Sequence, residues 1–154
     1  MEVKTYKVYK FSELSEKAKE KALDEFRGDA FFSQLAWEDT QEDAKQIGLE
    51  LTGVDRGYMT GDFIVSAEDC MEKILKEHGK VCETYKTVKY YQKELKKAKN
   101  DDDIADIKDE FKKSILEDYR IIAEKNEEYA YSDENLTEVI EMNDYNFLEN
   151  GELD

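Results

Sequence analysis

Lys80–Tyr131 reads KVCETYKTVKYYQKELKKAKNDDDIADIKDEFKKSILEDYRIIAEKNEEYAY, and the spacing of its apolar residues decides the fold. In the first arm, Val81, Tyr85, Val88, Gln92, Leu95 and Lys99 recur at three- and four-residue steps, which predicts an amphipathic helix with a lysine-rich outer face. Asn100-Asp101-Asp102-Asp103 interrupts this pattern with side chains that favour turns and helix N-caps. In the second arm Ile104, Ile107, Phe111, Ile115, Tyr119, Ile122, Asn126 and Tyr129 trace one face of another helix. So short a turn between two amphipathic helices makes them antiparallel neighbours.

Working outward, Val3–Phe11 alternates as a strand, with lysine at every other position as suits an edge. Ser12 or Ser15 caps a helix carrying Leu14, Ala18, Ala22 and Phe26 on one face, ended by Arg27-Gly28-Asp29. A second helix is predicted over about residues 30–46, with Phe31, Leu35, Trp37 and Ile47 inward, Glu38, Asp39, Glu42 and Asp43 outward, and Gly48 as its stop. Leu49, Leu51 and Val54 form one strand, and Phe63, Ile64 and Val65 another. Between them Asp55–Asp62 reads as a loop, whose two glycines serve a hairpin or, less economically, cradle an anion. Ser66 caps a helix bearing Ala67, Cys70, Met71, Ile74 and Leu75, closed by His78-Gly79. After the long pair, Ser132 caps a last helix with Leu136, Val139 and Ile140 inward, and Tyr145, Phe147 and Leu148 suggest a closing strand. The expectation is an α+β fold: a small antiparallel sheet covered by helices, with a long antiparallel helical hairpin at about 80–131 inside a single domain, 1–154.

Charge narrows the function. Charged residues make up 40% of the chain, proline is absent, and the formal net charge is −16. Ten tyrosines and seven phenylalanines can organise a core, so the charge does not imply disorder. The excess lies at the end: residues 117–154 hold thirteen acidic and two basic side chains, net −11, whereas residues 80–116 carry net +2. No apolar run is long enough for a transmembrane helix, and MEVKTYKVYKF has no apolar core of the kind a signal peptide needs. Cys70 and Cys82 lack CxxC spacing and are too few for a disulfide framework, so two reduced, core or half-buried thiols of a cytoplasmic protein are expected.

No nucleophile–base motif stands out: GxSxG, a Walker glycine loop and HExxH are all missing. The one histidine, His78, falls at a helix end, where a cation suits the dipole. Glu38/Glu42 and Glu134/Glu138 at one-turn spacing are weak acid–base or metal signals in so acidic a chain. Asp101–Asp103 lacks the glycine and distant glutamate of an EF-hand loop and reads as a helix start. No enzyme, no metal and no cofactor are therefore expected. Lysines 86, 89, 93, 96, 97 and 99, interleaved with Tyr85, Tyr90 and Tyr91, form the one patch that single-stranded nucleic acid would favour. Pairing with the acidic neighbouring arm accounts for them more simply, and the net charge repels phosphate, so no direct nucleic-acid binding is expected.

Both ends of the chain carry a resemblance. TYKVYKFSELSEKAKEKALDEFR resembles the Y-x-F-x-E-L-S-E-x-A-K-E-K-A opening of a family of small acidic phage and prophage proteins of Firmicutes, some labelled antitoxin-like. YSDENLTEVIEMNDYNFLENGEL resembles the same family's S-D-E-x-x-x-E-x-I-E-x-N-x-Y-x-F-x-E-x-G close. The family's central S-Q-G-D-G is replaced here by Arg56-Gly57-Tyr58-Met59-Thr60-Gly61-Asp62. What the resemblance implies is a phage-encoded accessory protein acting in the host bacterial cytoplasm, with a counter-defence role such as an anti-CRISPR.

Carboxylates on successive helical turns lie about 5–6 Å apart, near the phosphate spacing of a nucleic-acid strand. The candidate partner-binding residues are Glu38, Asp39, Glu42, Asp43, Glu127, Glu128, Asp133, Glu134, Glu138 and Glu141. The partner they suit is a basic host protein, a CRISPR effector or another nuclease, whose substrate the acidic array would displace. An antitoxin-like module neutralising a basic toxin, and an acidic accessory protein with no mimicry, remain alternatives. The sequence leaves the oligomeric state open.

Overall fold

A computed structural model describes residues 1–154. The elements run β1 (Tyr9–Lys10), a 3-10 turn (Phe11–Glu13), α1 (Glu16–Arg27), α2 (Phe31–Gln46), β2 (Leu49–Asp55), β3 (Tyr58–Phe63), α3 (Ala67–Glu77), α4 (Glu83–Lys97), α5 (Asp101–Ala130), α6 (Asp133–Met142) and β4 (Asn146–Phe147). The fold is α+β, as the periodicity predicts, with the antiparallel strands divided between two two-stranded sheets. The chain forms two compact units, Met1–Ala36 with Glu127–Asp154, and Trp37–Asn126. The chain passes between them within α2 and again within α5.

The first unit is assembled from the two ends of the sequence. β1 pairs antiparallel with β4, Tyr9 opposite Phe147 and Lys10 opposite Asn146. The strand is far shorter than the Val3–Phe11 alternation predicts. Its partner is only two residues long, so Met1–Val8 has no ladder to join and stays exposed. Ser15 is the N-cap of α1, its Oγ accepting from the Ala18 amide at 3.2 Å. Leu14, Ala18 and Ala22 turn inward as the spacing predicts, and they meet Phe11, Leu136, Ile140 and Phe147 in one buried cluster. Phe11 and Phe147 lie 6.1 Å apart between ring centroids, and Phe26 lies 5.8 Å from Tyr145. The opening and closing motifs are thus largely the two halves of one core.

On α2 the buried stripe differs from the predicted one. Phe31 and Leu35 are exposed, while Phe32 and Ala36 are buried in the first unit and Thr40, Ala44 and Ile47 in the second. The true stripe, 32-36-40-44, consists largely of small residues, which hydropathy undervalues. Thr40 tolerates full burial because its Oγ1 accepts from Asn126 Nδ2 at 2.9 Å.

In the second unit, β2 and β3 form a hairpin turning at Arg56-Gly57, both with positive φ (52° and 83°), a two-residue turn of the primed kind that matches strand twist. The predicted Asp55–Asp62 loop is therefore mostly strand. Conversely, Ile64 lies beyond β3 and is exposed. A bulge at Thr52 shifts the register between Leu51 and Gly53, and the Thr52 and Thr60 hydroxyls meet across it at 2.8 Å. α3 is capped by Ser66, whose Oγ accepts from the Asp69 amide, and buries Ala67, Cys70, Met71 and Ile74.

α4 and α5 form the antiparallel hairpin. Thr87 Oγ1 donates to Asp118 Oδ2 at 2.6 Å, and the Tyr91 and Ser114 hydroxyls meet at 2.7 Å, so residue numbers rise on one helix as they fall on the other. The turn is pinned at Asn100, whose Oδ1 accepts from the Asp103 amide, while Asp103 Oδ2 accepts from the Lys99 amide. Val88 and Leu95 turn inward as predicted, joined by Thr84 and Tyr91, whereas Val81 precedes the helix and is 86% exposed. Tyr91 can turn in because Ser114 meets its hydroxyl. On α5, Phe111, Ile115, Leu116 and Tyr119 are buried, and Tyr129 is exposed with Ala130 inward in its place. Phe111 stacks on Phe63 and meets Tyr91 edge-on, both at 5.8 Å. Fully burying a side chain of this size contributes about 1.5–3 kcal/mol.

Candidate functional site

The acidic end of the chain is not uniformly available. Residues 127–154 hold ten acidic and no basic side chains, and their counter-ions come from the opening segment. Lys10 pairs with Asp144 at 3.0 Å, Lys21 with Glu152 at 3.0 Å, and Arg27 with Asp133 as well as with Asp24. The Lys21 ammonium holds the Glu152 carboxyl below the ordinary carboxylate range. Glu127 accepts from Ser33 Oγ at 3.0 Å. Asp133 and Glu127 of the array predicted from sequence therefore each have a partner within the protein.

Among the carboxylates left without an ion pair, three form a ridge on α6. Ser132 caps the helix, its Oγ accepting from the Asn135 amide at 3.2 Å. Leu136 and Ile140 then point inward, which sends Glu134, Glu138 and Glu141 to the opposite, exposed face at four- and three-residue steps. None of the three takes part in an ion pair, and Glu128 is likewise exposed. Met142, 78% exposed, stands at the end of the ridge.

The α2 set lies in the other unit. Glu38, Asp39 and Glu42 are exposed, as predicted. Asp43 is not simply an outward charge, because its Oδ2 accepts from the buried Tyr119 hydroxyl at 3.0 Å. That carboxylate and, above all, burial push the Tyr119 phenol up. Glu134, Glu138 and Glu141 thus belong to the first unit, and Glu38, Asp39 and Glu42 to the second.

The lysine-rich face of α4 also differs from expectation. Its ion pairs are local, Lys86 with Glu83 at 3.3 Å and Lys97 with Glu94 at 3.5 Å, rather than across to α5. Lys89 lies 5.8 Å from the Tyr85 ring. The α5 lysines look elsewhere, Lys108 to Glu68 and Lys112 to Asp62, and hold both those carboxyls below their ordinary range.

Sequence reasoning missed a cavity of about 290 Å³ within the second unit. Part of its lining comes from the α3–α4 junction (His78, Cys82, Glu83 and Thr84). Asp118, Ile121, Ile122 and Lys125 face it from α5, and Asp43 from α2. His78 closes α3 and its Nδ1 lies 2.6 Å from the hydroxyl of buried Thr84, which fixes the ring. Asp118 is held by Thr87, and burial pushes its carboxyl above the ordinary range, helped by the neighbouring charges of Glu83 and Glu117 and opposed by the Thr87 hydrogen bond. Cys82, expected to be at least half-buried, is exposed, whereas burial pushes the Cys70 thiol up to about 12. The sequence signal was slight: Ile121 is one apolar residue beside the inward stripe of α5, and it is 38% exposed.

Comparison with protein-family models, with curated proteins and with solved structures returns no match. No helix is long and apolar enough to cross a membrane.

Proposed function

We propose that this protein is a non-enzymatic inhibitor of the bacterial cytoplasm that docks on a basic, nucleic-acid-handling protein and occupies its substrate path. The observation that carries the reading is the α6 ridge. Glu134, Glu138 and Glu141 stand exposed in turn-spaced order on one helix with no ion pair, whereas Asp133, Asp144 and Glu152 of the same segment are paired with Arg27, Lys10 and Lys21. Three uncompensated carboxylates about one turn apart would meet lysines and arginines that normally bind phosphates. Long-range attraction speeds the encounter, and exposed Met142 supplies an apolar anchor beside the charges. The α2 trio Glu38, Asp39 and Glu42 adds a second, weaker attraction. The phage-type ends of the sequence suggest the class of partner, a CRISPR effector or another defence nuclease.

The test captures the partner from host lysate and then measures inhibition of its DNA cleavage by the protein and by two charge-reversed forms. Changing Glu134, Glu138 and Glu141 together to lysine should abolish inhibition, and changing Glu38, Asp39 and Glu42 should weaken it modestly. Association should also slow steeply between low and physiological salt, where screening shortens to about 8 Å. Full inhibition by both reversed forms would overturn the reading and leave the charge as a solubility device.

A further inference from the structure

The cavity of the second unit combines apolar and acidic lining. Ile121 and Ile122 line it together with three carboxylates, Asp43, Glu83 and Asp118, and Glu83 is near enough for its charge to act on Asp118. Asp118 is the telling member. It is half-buried, and its hydrogen-bond partner is the neutral Thr87 hydroxyl at 2.6 Å, so its negative charge meets no cation. Lys125 lines the same cavity but sits seven residues further along α5, about 10 Å in rise, and makes no ion pair. A desolvated carboxylate without a counter-ion is costly, and a cation brought by a ligand would remove that cost. The raised carboxyl of Asp118 records the same imbalance.

We infer that this cavity binds a small organic cation, an aliphatic amine or guanidinium, with its stem on Ile121 and Ile122 and its charged head between Asp118, Glu83 and Asp43. The size agrees, since about 290 Å³ lies at the lower edge of ligand pockets, which run from about 300 to 1,000 Å³. Asp43 and Asp118 each use Oδ2 within the protein, toward Tyr119 and Thr87, which leaves Oδ1 of each to accept from the ligand. His78 is held by Thr84 and shapes the wall. The inference concerns the second unit and does not depend on the α6 ridge.

The experiment titrates the full-length protein with agmatine while following the methyl signals of Ile121 and Ile122 by NMR. Saturable shifts of those two methyls are expected, together with slower alkylation of the exposed Cys82 thiol that lines the cavity. The neutral, similarly sized hexanamide should give neither. Asp118→Asn keeps an acceptor for Thr87 and should weaken agmatine binding about tenfold, the fold-change expected for losing a charged hydrogen bond. Glu83→Gln, at an exposed position, should weaken it several-fold and tests a second carboxylate of the cavity independently. N-acetyl-arginine methylamide separates the two sources of such a cation. Binding of both compounds identifies a basic protein side chain as an acceptable guest, and binding of agmatine alone identifies a free amine. No saturable shift up to about 10 mM agmatine, a concentration that would register even millimolar affinity, would overturn the inference, as would equal binding of hexanamide or undiminished binding by both variants.

Discussion

Gly151 lies directly against the backbone of Ala18: a β-carbon placed on it would sit 3.2 Å from the Ala18 Cα and well inside contact distance of the Ala18 carbonyl oxygen. Its φ of 93° is also one that other residues resist. Gly151→Ala should therefore destabilise the first unit by about 1–3 kcal/mol, since backbone rather than a movable side chain stands in the way. Chemical denaturation would measure this, and an unchanged midpoint would mean that the Gly151 loop does not dock on α1.

Phe111→Ala should cost about 3–5 kcal/mol, the range for truncating a fully buried aromatic. The ring is 0% exposed and sits between Phe63 and Tyr91, so neither neighbour can fill the space without giving up its own contacts. A thermal melt would show the loss as a large fall in midpoint, and a melt like the parent's would remove Phe111 from the centre of the α4–α5 pairing.

Two carboxylates should give stability profiles of opposite slope. Asp118 is raised, mainly by burial, so the folded chain holds its proton more tightly than the unfolded chain does. Stability from this group declines as pH rises through the interval between the unfolded and raised folded values. Asp118→Asn should then be more stable than the parent at neutral pH, with the difference closing as pH falls below the ordinary aspartate range. Glu68 is lowered, first by its hydrogen bond with Lys108, and contributes stability above its unfolded value that is lost as pH falls through the lowered one. Glu68→Gln should be less stable than the parent at neutral pH and equal to it in acid. Urea titrations at several pH values check both signs.

The β2–β3 turn should accept improvement. Arg56 occupies the left-handed region at φ 52°, where asparagine is far more at ease, and Gly57 already suits its place at φ 83°. Arg56→Asn should stabilise the protein by a few tenths of a kcal/mol, read as a small rise in melting midpoint. A fall would show that the Arg56 side chain makes a contribution of its own.

Large apolar side chains made most of this fold legible. Phe111, Ile115 and Tyr119 announce α5, Val88 and Leu95 mark α4, and Ser15, Ser66 and Ser132 cap the helices they precede. Legibility failed where burial was carried by small or polar residues. Thr84, Thr40 and Ala44 are buried because a hydroxyl finds a partner or a neighbour comes close, neither of which a hydropathy pattern registers. The strand at the N-terminus was overdrawn because alternation reports a preference, while ladder length is set by a partner far along the chain. Among the candidate site residues, the outward set of α6 could be read from its period. The engagement of Asp133 with Arg27 and of Asp43 with Tyr119 could not, since both depend on contacts more than seventy positions apart. The cavity was invisible for the same reason.

The pairing of Tyr9 with Phe147 has a consequence for how the protein is made. Translation delivers Tyr9, Phe11 and Leu14 well over a hundred residues before the segment they pack on, Leu136 to Phe147. Trp37–Asn126 is continuous in sequence, and its core partners are all present once Asn126 has emerged. Until Leu136 to Phe147 emerges, the nascent chain must therefore carry Tyr9, Phe11 and Leu14 unsatisfied. The lysines and glutamates spaced through residues 13–27 keep that waiting segment hydrated until its other half arrives.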